Sequence, residues 1–236
     1  MALTAYQTAL QNLIQAPSSP VPFIPTSSLT TYINTARNQV AADAECIRSY
    51  GSLALSANVN SYSFSGITPV AGLGLSNVIA VRSAILLGVP IDIRPWEWYA
   101  QYYLGNEAVT GTPFKMAQQG QGAGGTLSVY PTPVSTMTMQ LDSVWLPVPL
   151  VDDTTIEAIP EIWTDAVSFY AAWLAMQSLQ RQTDAEMMFR RYQMLVMRGR
   201  QGATPSELPE YLPGGVGTKM ASTHQTLAPA QGGGPR

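Results

Sequence analysis

Thr136-Met137-Thr138-Met139-Gln140-Leu141 sets polar against apolar residues at every second position, and past Pro160 the apolar residues recur as Ile162, Ala166, Phe169, Trp173 and Met176. A period of two places alternate side chains on one face of a strand, whereas steps of three and four place them on one face of a helix. The chain therefore changes from sheet to helix near residue 150, and this change sets the fold class as α+β.

Upstream of the change, short alternating stretches such as Leu53-Ala54-Leu55 and Tyr62-Ser63-Phe64 are broken by Gly and Pro. They predict an antiparallel β part over residues 51–150. One short helix around 95–104 interrupts it, with Pro95 acceptable as its first residue. Further upstream, Leu3, Tyr6, Leu10, Leu13 and Ile14 predict an amphipathic helix over 3–15. The Pro-Ser stretch at 17–25 breaks this helix. A second helix is expected from Thr30 or Thr31, with Ile33, Ala36, Val40, Ala44 and Ile47 on its apolar side. Downstream, Thr183-Asp184-Ala185-Glu186 has the pattern of a capping box. It predicts a helix that carries Phe189, Tyr192 and Val196, stops at Gly199, and meets its predecessor at a corner near Gln182. The expected organisation is a helical bundle from 1–50 and 151–200, an inserted β-rich part at 51–150, and an extended C-terminal arm at 201–236. That arm is rich in Gly and Pro and has no core of its own, so a neighbouring subunit is expected to hold it.

Charge narrows the function. Of the 236 residues, 46% are hydrophobic and only 11% are charged, against about 25% in an average soluble protein. Loss of charge is a mark of subunit contacts. The net charge of −3 gives no basic footprint for nucleic acid. The N-terminus lacks the basic start and apolar core of a signal peptide, and the longest apolar runs are too short to span a bilayer. The single cysteine, Cys46, excludes an internal disulfide, and no Cys/His spacing suits zinc.

Few residues carry a chemical signal. Gly120-Gln121-Gly122-Ala123-Gly124-Gly125 fits GxGxxG, but a strand-like segment follows it where a dinucleotide site needs a helix, so it reads as a loop between strands. The only histidine, His224, lies in the low-complexity tail, and Cys46 reads as a small core residue. Asp152, Asp153, Glu157, Glu161 and Asp165 could form a metal site or a glycosidase pair; complementing a helix dipole is the favoured account. Trp96, Trp98, Tyr99, Tyr102 and Tyr103 crowd one segment without basic residues interleaved in sequence, which favours a core or subunit contact over base or sugar stacking. Arg181, Arg190, Arg191, Arg198 and Arg200 form either a solvated helix end or a salt-bridge patch between subunits. No catalytic set, cofactor or metal is expected.

Two stretches carry a resemblance. The first runs from Gly111-Thr112-Pro113-Phe114-Lys115-Met116-Ala117 through Leu127-Ser128-Val129-Tyr130-Pro131-Thr132-Pro133 to Leu146-Pro147-Val148-Pro149-Leu150. The second joins Ile159-Pro160-Glu161-Ile162, Asp165-Ala166-Val167 and Tyr170-Ala171-Ala172-Trp173-Leu174-Ala175 to Asp184-Ala185-Glu186 and Phe189-Arg190-Arg191-Tyr192. Their layout resembles the head–tail adaptor (connector) proteins of tailed bacteriophages. The resemblance implies a virion protein of the neck, made in the host cytoplasm, that forms a ring of about twelve copies beneath the portal. It implies that the helices build the ring, that the arm reaches the portal, and that double-stranded DNA passes through the channel without specific binding. Expected partners are further copies of the chain, the portal and a tail or nozzle protein. Candidate contact residues are Arg190, Arg191, Arg198, Arg200, Trp96 and Trp98, with Tyr211, Leu212, Met220 and Leu227 in the arm. The alternatives are a tail-tube or nozzle subunit, or a polysaccharide-acting virion enzyme using the 152–165 acids and the 96–103 aromatics.

Overall fold

Leu3, Tyr6, Leu10 and Ile14 are all buried, so the spacing seen in the sequence becomes the inner stripe of helix α1 (Leu3–Ile14). The computed structural model describes residues 1–14, 24–105 and 108–203. Helix α2 (Thr26–Ala44) starts one turn earlier than its apolar pattern suggests, because Pro25 caps it and the Pro25 carbonyl accepts the first backbone bonds, from the N–H of Ser28 and of Leu29. It ends at Glu45, whose φ of 49° turns the chain out of the helix. Ile47 therefore lies beyond the helix, buried at the approach to the first strand, with its carbonyl accepting the Trp145 N–H.

The chain then builds strands β1 (Arg48–Leu55), β2 (Ser61–Ser63), β3 (Thr68–Pro69), β4 (Leu75–Leu86), β5 (Val89–Pro90) and β6 (Asp92–Arg94), followed by helix α3 (Trp96–Tyr103). Pro95 stands just outside α3 as its cap. Strands β7 (Thr110–Gly111), β8 (Lys115–Gln119), β9 (Thr126–Tyr130), β10 (Thr132–Pro133) and β11 (Met137–Pro147) follow. The main sheet has the order β3-β1-β11-β4-β5 and is antiparallel throughout. Its centre is β11, where Met139, Leu141, Val144 and Trp145 are buried. A second sheet has the order β2-β9-β8-β6.

The β part is not wholly antiparallel. β6 pairs parallel to β8, and β7 pairs parallel to β10. A parallel pair needs a crossover, and α3 lies between β6 and β8 in the chain. The helix that interrupts the strands in the sequence is thus the crossover of a βαβ unit. It packs on β8, and the Tyr99 hydroxyl donates to the Val129 carbonyl at 2.9 Å. Three successive residues of β9, Leu127, Ser128 and Val129, are buried, as they must be in a strand covered on both faces.

After β11, residues 148–160 run over α2, and a short turn (Glu161–Trp163) leads into α4 (Thr164–Ser178) and α5 (Gln182–Ala203). The buried side of α4 is mostly alanine (Ala166, Ala171, Ala172 and Ala175), flanked by Val167 and Met176. Ile162 is exposed in the turn and Phe169 and Trp173 only partly buried, so the expected aromatic stripe gives way to small residues. The reason is that α4 is crowded: it packs against α1, α2 and α5. Gly199 does not stop α5; it lies inside the helix beneath the Trp163 indole, where an added Cβ would fall 2.3 Å from the ring. Nor does Thr183-Asp184-Ala185-Glu186 form its cap. The helix begins at Gln182, placing Thr183 inside the first turn, and Asp184 pairs instead with Arg181 at 2.5 Å. Mixed α+β architecture is what the change of periodicity predicts, and this is the fold.

Candidate functional site

The arginines expected to mark a contact surface lie on α5, a helix that packs through Ala185, Tyr192 and Val196. Its opposite side carries Met187, Arg190, Arg191, Met194, Met197 and Arg198 at steps of three and four, which stacks them in one stripe. Met187, Met194 and Met197 are 56%, 64% and 65% exposed. Methionine is a flexible apolar residue that serves adaptable contacts. Arg190 lies 4.0 Å from Glu186, and the guanidinium of Arg191 sits 5.7 Å from the centre of the Phe169 ring. Arg198 and Arg200 are exposed.

Beside the stripe, a groove of about 640 Å³ runs between α2 and α5. Phe189, Tyr192, Val196 and Met197 line it, with Asp43 on the α2 side and Arg200 on the α5 side. The Tyr192 hydroxyl donates to the Asp43 carboxylate. Burial first, and that bond second, hold the tyrosine well above its ordinary pKa, so it stays protonated.

Of the 152–165 acids, Glu161 and Asp165 lie in the first turns after Pro160, as expected, while Asp152, Asp153 and Glu157 are engaged elsewhere. Asp153 accepts from the Thr4 N–H and hydroxyl, both at 2.8 Å, and so caps the start of α1. Asp152 accepts from the N–H and hydroxyl groups of Thr154 and Thr155 and closes a tight turn. Both carboxyls are held below the usual range, chiefly by these bonds. Glu157 reaches inward instead and pairs with Arg37 at 2.8 Å. Among the described residues no group of three or more His, Cys, Asp and Glu could hold a metal. Sequence reading missed Arg37, yet a signal was there: it falls within the apolar stripe of α2, between Ile33 and Val40.

The α3 aromatics divide. Tyr99 is buried, while Tyr102 is exposed. Trp96 and Trp98 are partly buried, Trp96 stacking on Tyr99 at 5.8 Å. Basic groups do accompany these rings in space. Arg94 and Lys115 stand 5.0 and 5.1 Å from the centre of Trp98, and Asp92 binds both. They come from β6 and β8, which only the parallel pairing brings together, so the linear order hid them. The cations that meet the Trp98 ring are these two, not the arginines of α5.

The Gly120–Gly125 segment is a loop joining β8 to β9, with a 3-10 turn over Gly122–Gly124 and a strand after it. The Cys46 thiol, partly buried, is pushed up to about 12, first by burial, which favours the protonated form at neutral pH. His224, Tyr211, Leu212, Met220 and Leu227, with the whole arm beyond Ala203, lie outside the described residues. No helix among the described residues is long and apolar enough to cross a membrane. No protein-family model matches the chain, and no curated protein sequence is similar to it.

Proposed function

We propose that the chain is a structural head–tail adaptor of a tailed phage, forming a ring of about twelve copies that joins the portal to the tail and continues the DNA channel. The observation that carries this reading is the outward stripe of α5: a long helix that leaves three methionines and three arginines in water has the surface of a subunit awaiting a neighbour. The low overall charge agrees, and so does the layout that resembles phage adaptors. In this account helices α1, α2, α4 and α5 build the ring, the strands from Arg48 to Pro147 are the inserted β part, and 204–236 is an arm that reaches the portal. The negative net charge suits a channel that lets DNA slide without gripping it.

Electron microscopy of the purified chain mixed with the portal of its own phage tests the reading. An extra ring of density beneath the portal is expected, and a portal left bare at saturating chain refutes it. Deleting residues 204–236 should weaken that binding; unchanged binding removes the arm from the account.

A further inference from the structure

Helix α4 separates two flanks of the helical layer. On one, α5 packs against α4, α2 and the 161–163 turn. On the other, α1 packs against α4 and α2, and the loop after Leu150 is tied to the start of α1 by Asp153. This loop has features opposite in kind to those of the α5 flank. Val151 is 78% exposed and Ile156 is 54% exposed, while the Asp152 and Asp153 carboxylates beside them accept the threonine bonds described above. One flank is thus a basic stripe beside a groove of apolar and polar residues whose acid, Asp43, is bonded by Tyr192, and the other an acidic loop with an apolar knob.

Resting on the adaptor reading, we propose that the Val151–Ile156 loop of one copy seats on α5 of the next, with Val151 entering the groove between α2 and α5 and Asp152 facing Arg190 and Arg200. Charge complementarity selects the occupant: the exposed side of α5 carries Arg190, Arg191, Arg198 and Arg200 against the single acid Glu186, and the loop carries the exposed Asp152 and Asp153 and no base, Glu157 being turned inward to Arg37. The two surfaces differ and lie on opposite flanks, so the contact is head-to-tail. A contact of that kind propagates from copy to copy and closes into a ring when the rotation per copy allows. A surface matched to itself would stop at a dimer. The charged rim steers docking while the methionines and Val151 supply the apolar contact.

Disulfide trapping of the full-length chain tests this. Val151→Cys and Met197→Cys are made separately in a Cys46→Ala background, mixed, and oxidised at low salt. Heterodimer should form about tenfold faster than homodimer of either variant, because docked thiols meet at a raised effective concentration. The double variant should give a ladder of multimers, and the advantage should fade at high salt. A mixture that reacts no faster than its components overturns the contact, as does rapid homodimer formation by Met197→Cys alone. Ile156→Cys with Met194→Cys provides a second pair should either first variant fold poorly. Rings that assemble on the portal without this cross-link refute the contact and leave the adaptor reading standing. A ladder from a chain that ignores the portal does the reverse.

Discussion

Replacing Arg37 by Met should cost this protein more stability than any surface change. Arg37 is fully buried, and its Nε lies 3.2 Å from both carboxylate oxygens of Glu157. Its Nη2 donates to Glu157 Oε1 at 2.8 Å, and its Nη1 donates to the Val148 carbonyl at 2.8 Å and to Asn34 Oδ1 at 3.2 Å. Asn34 in turn bonds both the N–H and the carbonyl of Leu150, and Glu157 accepts the Ile159 N–H at 2.8 Å. The guanidinium therefore fixes the whole 148–159 segment on α2. Met fills the volume of the stem but leaves the Glu157 carboxylate, with 9% of its side chain exposed, without its cation. Removing one partner of a buried pair costs about 3–5 kcal/mol. In a folded unit of this size, 1 kcal/mol moves the melting midpoint by about 2–4 °C, so a fall of roughly 6–20 °C is expected. Replacing both partners by apolar residues is far milder, so Arg37→Met/Glu157→Leu should recover about 2 kcal/mol or more of that loss. Urea unfolding followed by tryptophan fluorescence gives all four corners of the cycle. A cost below about 1 kcal/mol for Arg37→Met, or strict additivity of the two single changes, would refute the reasoning.

Other outcomes follow from the same geometry. Gly199→Ala gains about 1 kcal/mol of helix propensity but drives a Cβ to 2.3 Å from Trp163, and overpacking of about 1–3 kcal/mol should leave a net loss in a thermal melt. The carboxyls of Asp92, Asp152 and Asp153 are held below their ordinary 3.8, so they add stability that is complete above that pH and lost as pH falls through the folded values. In acid titrations of unfolding, Asp153→Asn should make that loss shallower; an unchanged curve contradicts the cap on α1. With its thiol pushed up to about 12, Cys46 should react slowly with a thiol reagent at pH 8 in the native protein and quickly in urea, and equal rates would contradict its burial.

What the sequence made legible was whatever depends on neighbours in the chain. The alternation at 136–141 became the centre of the main sheet, and Leu3, Tyr6, Leu10 and Ile14 became the buried face of α1, because local periodicity is itself the cause of those faces. What stayed hidden depends on residues far apart in sequence. Gly199 resembles a helix stop until Trp163 arrives from 36 positions upstream to occupy the space that its missing side chain leaves. Asp153 lies near the start of α4 in sequence, yet caps α1, because only the fold brings Thr4 to it. Arg94 and Lys115 meet across Trp98 through a parallel pairing that no short window contains. At the candidate contact surface, the arginines of α5 were visible as a cluster of charge. The methionines between them gained meaning only when the helix showed which side it buries.

The central claim is tested most directly by the solution mass of the chain, measured by light scattering at micromolar concentration, alone and then with the portal of its phage. The account predicts a 25.4 kDa monomer alone and, on the portal, an added mass of about 300 kDa from a ring of about twelve copies. A chain that leaves the portal's mass unchanged while polymerising with itself or with a tail protein would contradict it.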